Sequence, residues 1–94
     1  MLKEELHARV HGIVHGVGFR ATAKRFADQL NLRGFVRNVP DGTVEICAQG
    51  ERKNLDRFLE LLKEEFGPQH IRHIDISYIS TDTSYPDFKI LRMP

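Results

Sequence analysis

Gly34-Phe35-Val36-Arg37-Asn38-Val39-Pro40-Asp41-Gly42-Thr43-Val44-Glu45 contains the clearest chain reversal in this sequence. Pro40 presets φ for the first central position of a turn, Asp41 suits the second, and Gly42 accepts a positive φ. Arg33 to Asn38 and Thr43 to Gln49 are therefore expected to be two antiparallel strands. With Pro40-Asp41-Gly42 as a three-residue loop and Gly42 as the bulge, Val39 faces Thr43, Asn38 faces Val44 and Val36 faces Ile46. Arg37 then faces Glu45 on the other side of the sheet. A slip of one residue would turn Asn38 over.

Helical patterns flank this hairpin. Upstream, Ala23, Phe26, Ala27 and Leu30 recur at i, i+3, i+4 and i+7, with Asn31 as a stop. Downstream, Leu55, Phe58, Leu59, Leu62 and Phe66 form an apolar stripe opposite Arg52, Lys53, Asp56, Arg57, Glu60 and Lys63. Gly67-Pro68 ends it. Beyond the helices, Leu6, Ala8 and Val10 alternate with His7, Arg9 and His11, and Ile74, Ile76 and Tyr78 alternate in the same way, each the mark of a strand. Phe88-Lys89-Ile90-Leu91 is a short last strand after a turn at Tyr85-Pro86-Asp87. The order β-α-β-β-α-β plus this strand predicts an α+β, ferredoxin-like split βαβ fold, an antiparallel sheet with both helices on one face. The first and second strands then run the same way with the third between them. The loop after the first and Asn38 at the end of the second thus share one sheet edge, about 10 Å apart.

The 94 residues are expected to form one domain, 1–94. Lys and Arg number 14 against 13 Asp and Glu, a net charge of +1, without the basic surplus of a dedicated nucleic-acid binder. Cys47 is the single cysteine, which excludes an intramolecular disulfide and a cysteine-based zinc cluster. Met1-Leu2-Lys3-Glu4-Glu5 lacks the apolar run of a signal peptide, and no stretch approaches the ~20 apolar residues of a membrane span. A cytoplasmic monomer without a membrane or nucleic-acid partner is the expectation.

The chemistry concentrates in Gly12-Ile13-Val14-His15-Gly16-Val17-Gly18-Phe19-Arg20, where the first strand meets the first helix. Glycines let successive backbone N–H groups converge into a nest for an oxyanion, and a helix start adds its free N–H groups and positive dipole end. Arg20 offers a planar fork of donors matched to two phosphate oxygens. Glycine content alone fits a tight strand-to-helix turn equally well. The nucleoside-triphosphatase loop Gly-x-x-x-x-Gly-Lys-Ser/Thr is absent, and the glycine order is not that of a dinucleotide-binding fingerprint. Neither a nucleotide nor a metal is implied.

Gly12 to Arg20 resembles the first signature of the acylphosphatase family, and Gly34 to Glu45, continuing to Gly50, resembles its second. The two lie in the right order and separation, and the resemblance covers nearly the whole chain. It implies hydrolysis of an acyl phosphate to a carboxylate and inorganic phosphate, with no cofactor, metal or covalent intermediate. It further implies that Arg20 binds and stabilises the phosphoryl group, that Asn38 holds the attacking water, and that His15, Gly16, Val17, Gly18 and Phe19 supply backbone donors. His15 stands where the family commonly has Gln, so a pH-dependent effect is expected there if anywhere.

Other readings are weaker. A non-catalytic acylphosphatase-like module binding phosphate or a regulatory anion would use the same loop. Arg33-Gly34-Phe35-Val36 is similar to part of an RNA-recognition signature, but Thr43, Glu45, Cys47 and Gln49 stand where stacking rings are needed. His7 and His11 are ~13 Å apart along a strand, too far to share one ion, and His70 and His73, at the start of another strand, are expected to lack Cys or acidic partners. No metal site is expected. Cys47 falls on the face away from the loop and reads as a plain sheet residue.

Overall fold

The strand patterns build a five-stranded sheet in the computed structural model of the chain, which describes residues 2–92. The elements are β1 (Lys3–Gly12), α1 (Phe19–Gln29), β2 (Arg33–Asn38), β3 (Val44–Gln49), α2 (Arg52–Phe66), β4 (Ile71–Thr81) and β5 (Phe88–Leu91). The strand order is β4-β1-β3-β2-β5. β1 lies antiparallel between β4 and β3, and β2 is antiparallel to β3, which gives the expected split βαβ core.

β5 departs from the antiparallel pattern. It pairs with β2 in parallel, so the complete sheet is mixed. The reason is topological: β4 finishes at the end of the sheet where β2 begins. The short link 82–87 therefore crosses at that end and enters β5 in the same direction as β2.

One face of the sheet is the core. Leu6, Ala8 and Val10 of β1, Val36 of β2, and Val44, Ile46 and Ala48 of β3 are buried against the two helices. Ala23, Phe26 and Ala27 of α1 meet Leu55, Phe58, Leu59, Leu62 and Phe66 of α2 in the same cluster. Phe58 is fully buried, and truncating such a ring costs about 3–5 kcal/mol. Asn31 closes α1 in the left-handed region, at φ 56°, which its short polar side chain tolerates.

The other face is polar. Cross-strand register sets Asp75, Arg9, Glu45 and Arg37 side by side on four strands, an alternation of charge that favours this pairing over a slipped one. Arg37 Nε donates to Glu45 Oε1 at 2.5 Å. The link 82–87 covers one end of this face: Gln49 Nε2 donates to Thr83 O at 2.8 Å, and Tyr85 N donates to Gln49 Oε1 at 3.1 Å. Cys47 stands on this face as expected, but under that cover it is buried. Phe35 and Tyr85 meet edge to face, with ring centres 6.0 Å apart. Their rings are spent on each other.

Candidate active site

At the end of β1 the chain leaves the sheet, and Val14 drops into the core to pin the loop. Gly16 and Gly18 follow with φ 74° and 78°, and a Cβ added at either would meet nothing within 4 Å. Glycine is needed there for the sign of φ, since space is ample. Left-handed residues within such a loop turn neighbouring N–H groups to one side, which makes a nest for an anion.

Gly18 is also the N-cap of α1. It brings no side-chain cap, and no acidic residue stands in the first turn. The orphan N–H groups and the positive end of the helix dipole are therefore left unneutralised by local side chains. Phe19 fixes the helix start from below: it is buried, with its ring 4.7 Å from that of Phe66 on α2. Arg20 follows, half-exposed.

Asn38 arrives from the hairpin. The observed register is Asn38 opposite Val44, Val36 opposite Ile46 and Arg37 opposite Glu45, as the turn residues predict. Val39 N donates to Thr43 O at 2.8 Å and Gly42 N to Val39 O at 3.0 Å. Asp41 locks the loop by accepting from the Thr43 hydroxyl at 2.6 Å and the Thr43 N–H at 3.0 Å. Those two bonds hold the Asp41 carboxyl below its ordinary range, against a slight opposing effect of burial. Asn38 itself is 7% exposed, and its buried Oδ1 has no hydrogen-bond partner among the described residues.

A cavity of about 560 Å³ brings these groups together. Gly16, Gly18, Phe19, Arg20 and Asn38 all line it. His15 and Val17 do not line it with their side chains. His15 Nε2 donates to Thr43 O at 2.8 Å, fastening the glycine loop to the hairpin that carries Asn38. Val17 packs against the core. The wall also includes Val14, Ala21, Ile90 and Arg92, which sequence reasoning missed. Arg92 is brought there because β5 runs parallel to β2 and ends beside Asn38's end of the sheet. A direction for β5 was the missing signal. Among the described residues no acidic side chain lines this cavity, whereas two arginines do.

The site contains no thiol chemistry. Cys47 lies on the opposite face, its thiol pushed up to about 11, chiefly by burial. A thiol held protonated in that way is a poor nucleophile.

Fold and cavity together define a small α+β domain whose glycine loop, helix start, Arg20 and Asn38 share one cavity. The family profile described as Acylphosphatase matches residues 6–90. An acylphosphatase of Chlorobaculum tepidum is 37% identical over 91 residues, covering 97% of this chain and 99% of that one. One from Ligilactobacillus salivarius is 44% identical over 82 residues, covering 86% and 90%. The crystal structure of acylphosphatase from Bacillus subtilis superposes with a TM-score of 0.87 at 33% identity, covering 97% of this chain and 99% of that one. The chain belongs to the acylphosphatase family.

Proposed function

We propose that the protein is an acylphosphatase in which Arg20 and the backbone N–H groups of residues 15–20 hold the phosphoryl group while Asn38 holds the attacking water. Asn38, a residue of the Arg20 cavity wall whose buried Oδ1 has no hydrogen-bond partner among the described residues, carries this reading. An acceptor left without a donor costs about 1–3 kcal/mol, a cost relieved when the amide turns its oxygen to a water held in the cavity.

Water attacks phosphorus as the bond from phosphorus to the acyl oxygen breaks, and a carboxylate departs with that bond's electron pair. The products are the carboxylate, inorganic phosphate and a proton released to solvent. A carboxylate is a stable leaving group, so no general acid is required. What remains is placing the water in line and offsetting charge on the phosphoryl oxygens. Arg20 matches two of those oxygens with a fixed fork, and the α1 start adds N–H donors already in position. Asn38 does not titrate, so it orients the water by accepting from it. The chain works as one monomeric domain in the cytoplasm on a small-molecule substrate, with no cofactor, nucleic acid or membrane. No helix among the described residues is long and apolar enough to cross a membrane.

Hydrolysis of acetyl phosphate and benzoyl phosphate in EDTA tests this. Turnover should persist without metal, with kcat falling roughly 10²–10³-fold in Asn38→Ala and at least as far in Arg20→Ala. Wild-type turnover in Asn38→Ala would refute the water-holding role. No turnover by the wild type on either substrate would leave a non-catalytic anion-binding module.

A further inference from the structure

Glu5 and His7 stand two residues apart on β1, so both side chains project from the face opposite the helices. Antiparallel pairing sets Cys47 of β3 directly across from His7. A carboxylate oxygen, an imidazole nitrogen and the thiol sulfur of these three residues all lie within 4.8 Å of one another. Glu5 and Cys47 are 7% and 3% exposed, whereas the His7 side chain is 46% exposed. His7 Nε2 already meets Glu5 Oε2 in a short hydrogen bond. The outward-facing atoms are held from behind: Gln49 Nε2 donates to Glu5 Oε1 at 2.7 Å, and Cys47 Sγ lies 3.7 Å from Tyr85 Oη.

We propose that Glu5, His7 and Cys47 form a binding site for a zinc-class divalent cation, on the face of the sheet opposite the phosphate cavity. The donor set is the first reason. One sulfur, one nitrogen and one oxygen suit zinc and its neighbours, whereas calcium and magnesium require a shell of oxygens. Spacing is the second. Tetrahedral zinc, with bonds of ~2.0–2.3 Å, needs donor atoms about 3.3–3.8 Å apart. The observed cluster reaches that by small side-chain adjustments, the Glu5–His7 contact opening as the cation enters between them.

Charge is the third reason. Binding the cation displaces the Cys47 thiol proton to solvent, and the resulting thiolate with the Glu5 carboxylate neutralises a divalent ion, so the site carries no net charge once filled. Protein groups behind a ligand, as Gln49 is behind Glu5, fix its orientation and strengthen its hold. The exposed side of His7 leaves the fourth position open to water. The nearest rival is exposed and has no sulfur donor: His11 and His73 share the Asp75 carboxylate at 2.9 and 2.7 Å, an acidic partner not expected for His73. They serve as the control.

Metal-free protein titrated with Co²⁺ should bind one ion per chain. A near-ultraviolet thiolate-to-cobalt charge-transfer band should appear, and Zn²⁺ should displace it. Cys47→Ser should abolish the band. His7→Ala removes an exposed side chain and should keep the wild-type circular dichroism, yet weaken zinc at least ~10-fold. The His11→Ala/His73→Ala double variant should match the wild type in both. Zinc should also raise the unfolding midpoint of the wild type more than that of His7→Ala. Absence of the charge-transfer band in folded wild type, or undiminished zinc affinity in His7→Ala, would overturn the site. Acyl phosphate turnover, read in parallel, should be unchanged in His7→Ala, so the cation site and the hydrolytic reading stand or fall separately.

Discussion

Asn38 is the residue whose chemistry depends most on being an amide. Its Oδ1 accepts without ever gaining a proton, and the cavity that Asn38 lines holds arginine but, among the described residues, no carboxylate. Asn38→Asp keeps the shape and inverts that logic. An ionised carboxylate beside a phosphoryl dianion repels substrate, and kcat/KM should fall by about 100-fold or more near neutral pH, an electrostatic loss comparable to removing a fixed donor. Burial and the substrate's charge both raise that carboxyl's pKa above its ordinary value. The neutral acid therefore accumulates as pH falls, and activity of Asn38→Asp should recover towards mildly acid pH while Asn38→Ala stays low. A pH–rate profile of Asn38→Asp that parallels the one of Asn38→Ala would show that charge is not the issue. The direction of Asn38 is legible in the sequence because Pro40-Asp41-Gly42 fixes the hairpin register. Its unpartnered oxygen is not legible, since that depends on what every neighbouring element fails to offer.

His15 shows the same division. The sequence places it in the glycine loop, and the structure gives its side chain a task between elements, the 2.8 Å bond to Thr43 O. A carbonyl only accepts, so Nε2 carries the hydrogen of this contact. His15→Gln can donate to the same oxygen and should keep most activity. His15→Ala should lower kcat by releasing the loop from the hairpin, with secondary structure intact by circular dichroism.

Among elements, the start of α1 sets the cradle. Gly18 caps it at φ 78°, and a Cβ there would touch nothing within 4 Å. Gly18→Ala should therefore cost only the left-handed backbone, about 1–2 kcal/mol, or a midpoint lowered by roughly 4–16 °C for a domain of this size. Gly18→Asn, which tolerates that region, should lose less than Gly18→Ala although its side chain is larger. The reverse order in thermal unfolding would mean that crowding governs the position. β5 is the element the sequence located but could not orient. Four residues with no alternating face carry no information about their neighbour or direction. That missing direction is why Arg92 stayed hidden: only a β5 parallel to β2 ends at the cavity. An exposed arginine at its margin is worth roughly 0.2–1 kcal/mol, so Arg92→Ala should raise KM by only about 1.5–5-fold and spare kcat.

At the scale of the whole molecule, a net charge of +1 conceals two unlike faces. The alternation of His7, Arg9 and His11 with Leu6, Ala8 and Val10 reveals that the faces differ. The charge row across four strands appears only when β1 is registered against β3 and β4, pairings too distant in sequence to read. Three carboxyls associated with the polar face are held below their ordinary range. Burial pushes Glu5 up, but hydrogen bonds from His7 and Gln49 outweigh it. The Asp75 carboxyl is lowered by its bonds from His73 and His11, and Asp41 by those from Thr43. Each therefore ionises at lower pH in the folded chain than in the unfolded one. As pH falls through the ordinary values of 4.5 for Glu5 and 3.8 for the two aspartates, the unfolded chain takes up protons first. Stability from these groups is complete above that window and is lost below it, until the folded groups protonate as well. The melting temperature should hold steady from neutral pH down to about 5 and then fall steeply. Asp75→Asn should flatten that acid limb and leave neutral-pH turnover unchanged, because Asp75 lies outside the phosphate cavity. An equally steep limb in Asp75→Asn would place the acid sensitivity elsewhere in the fold.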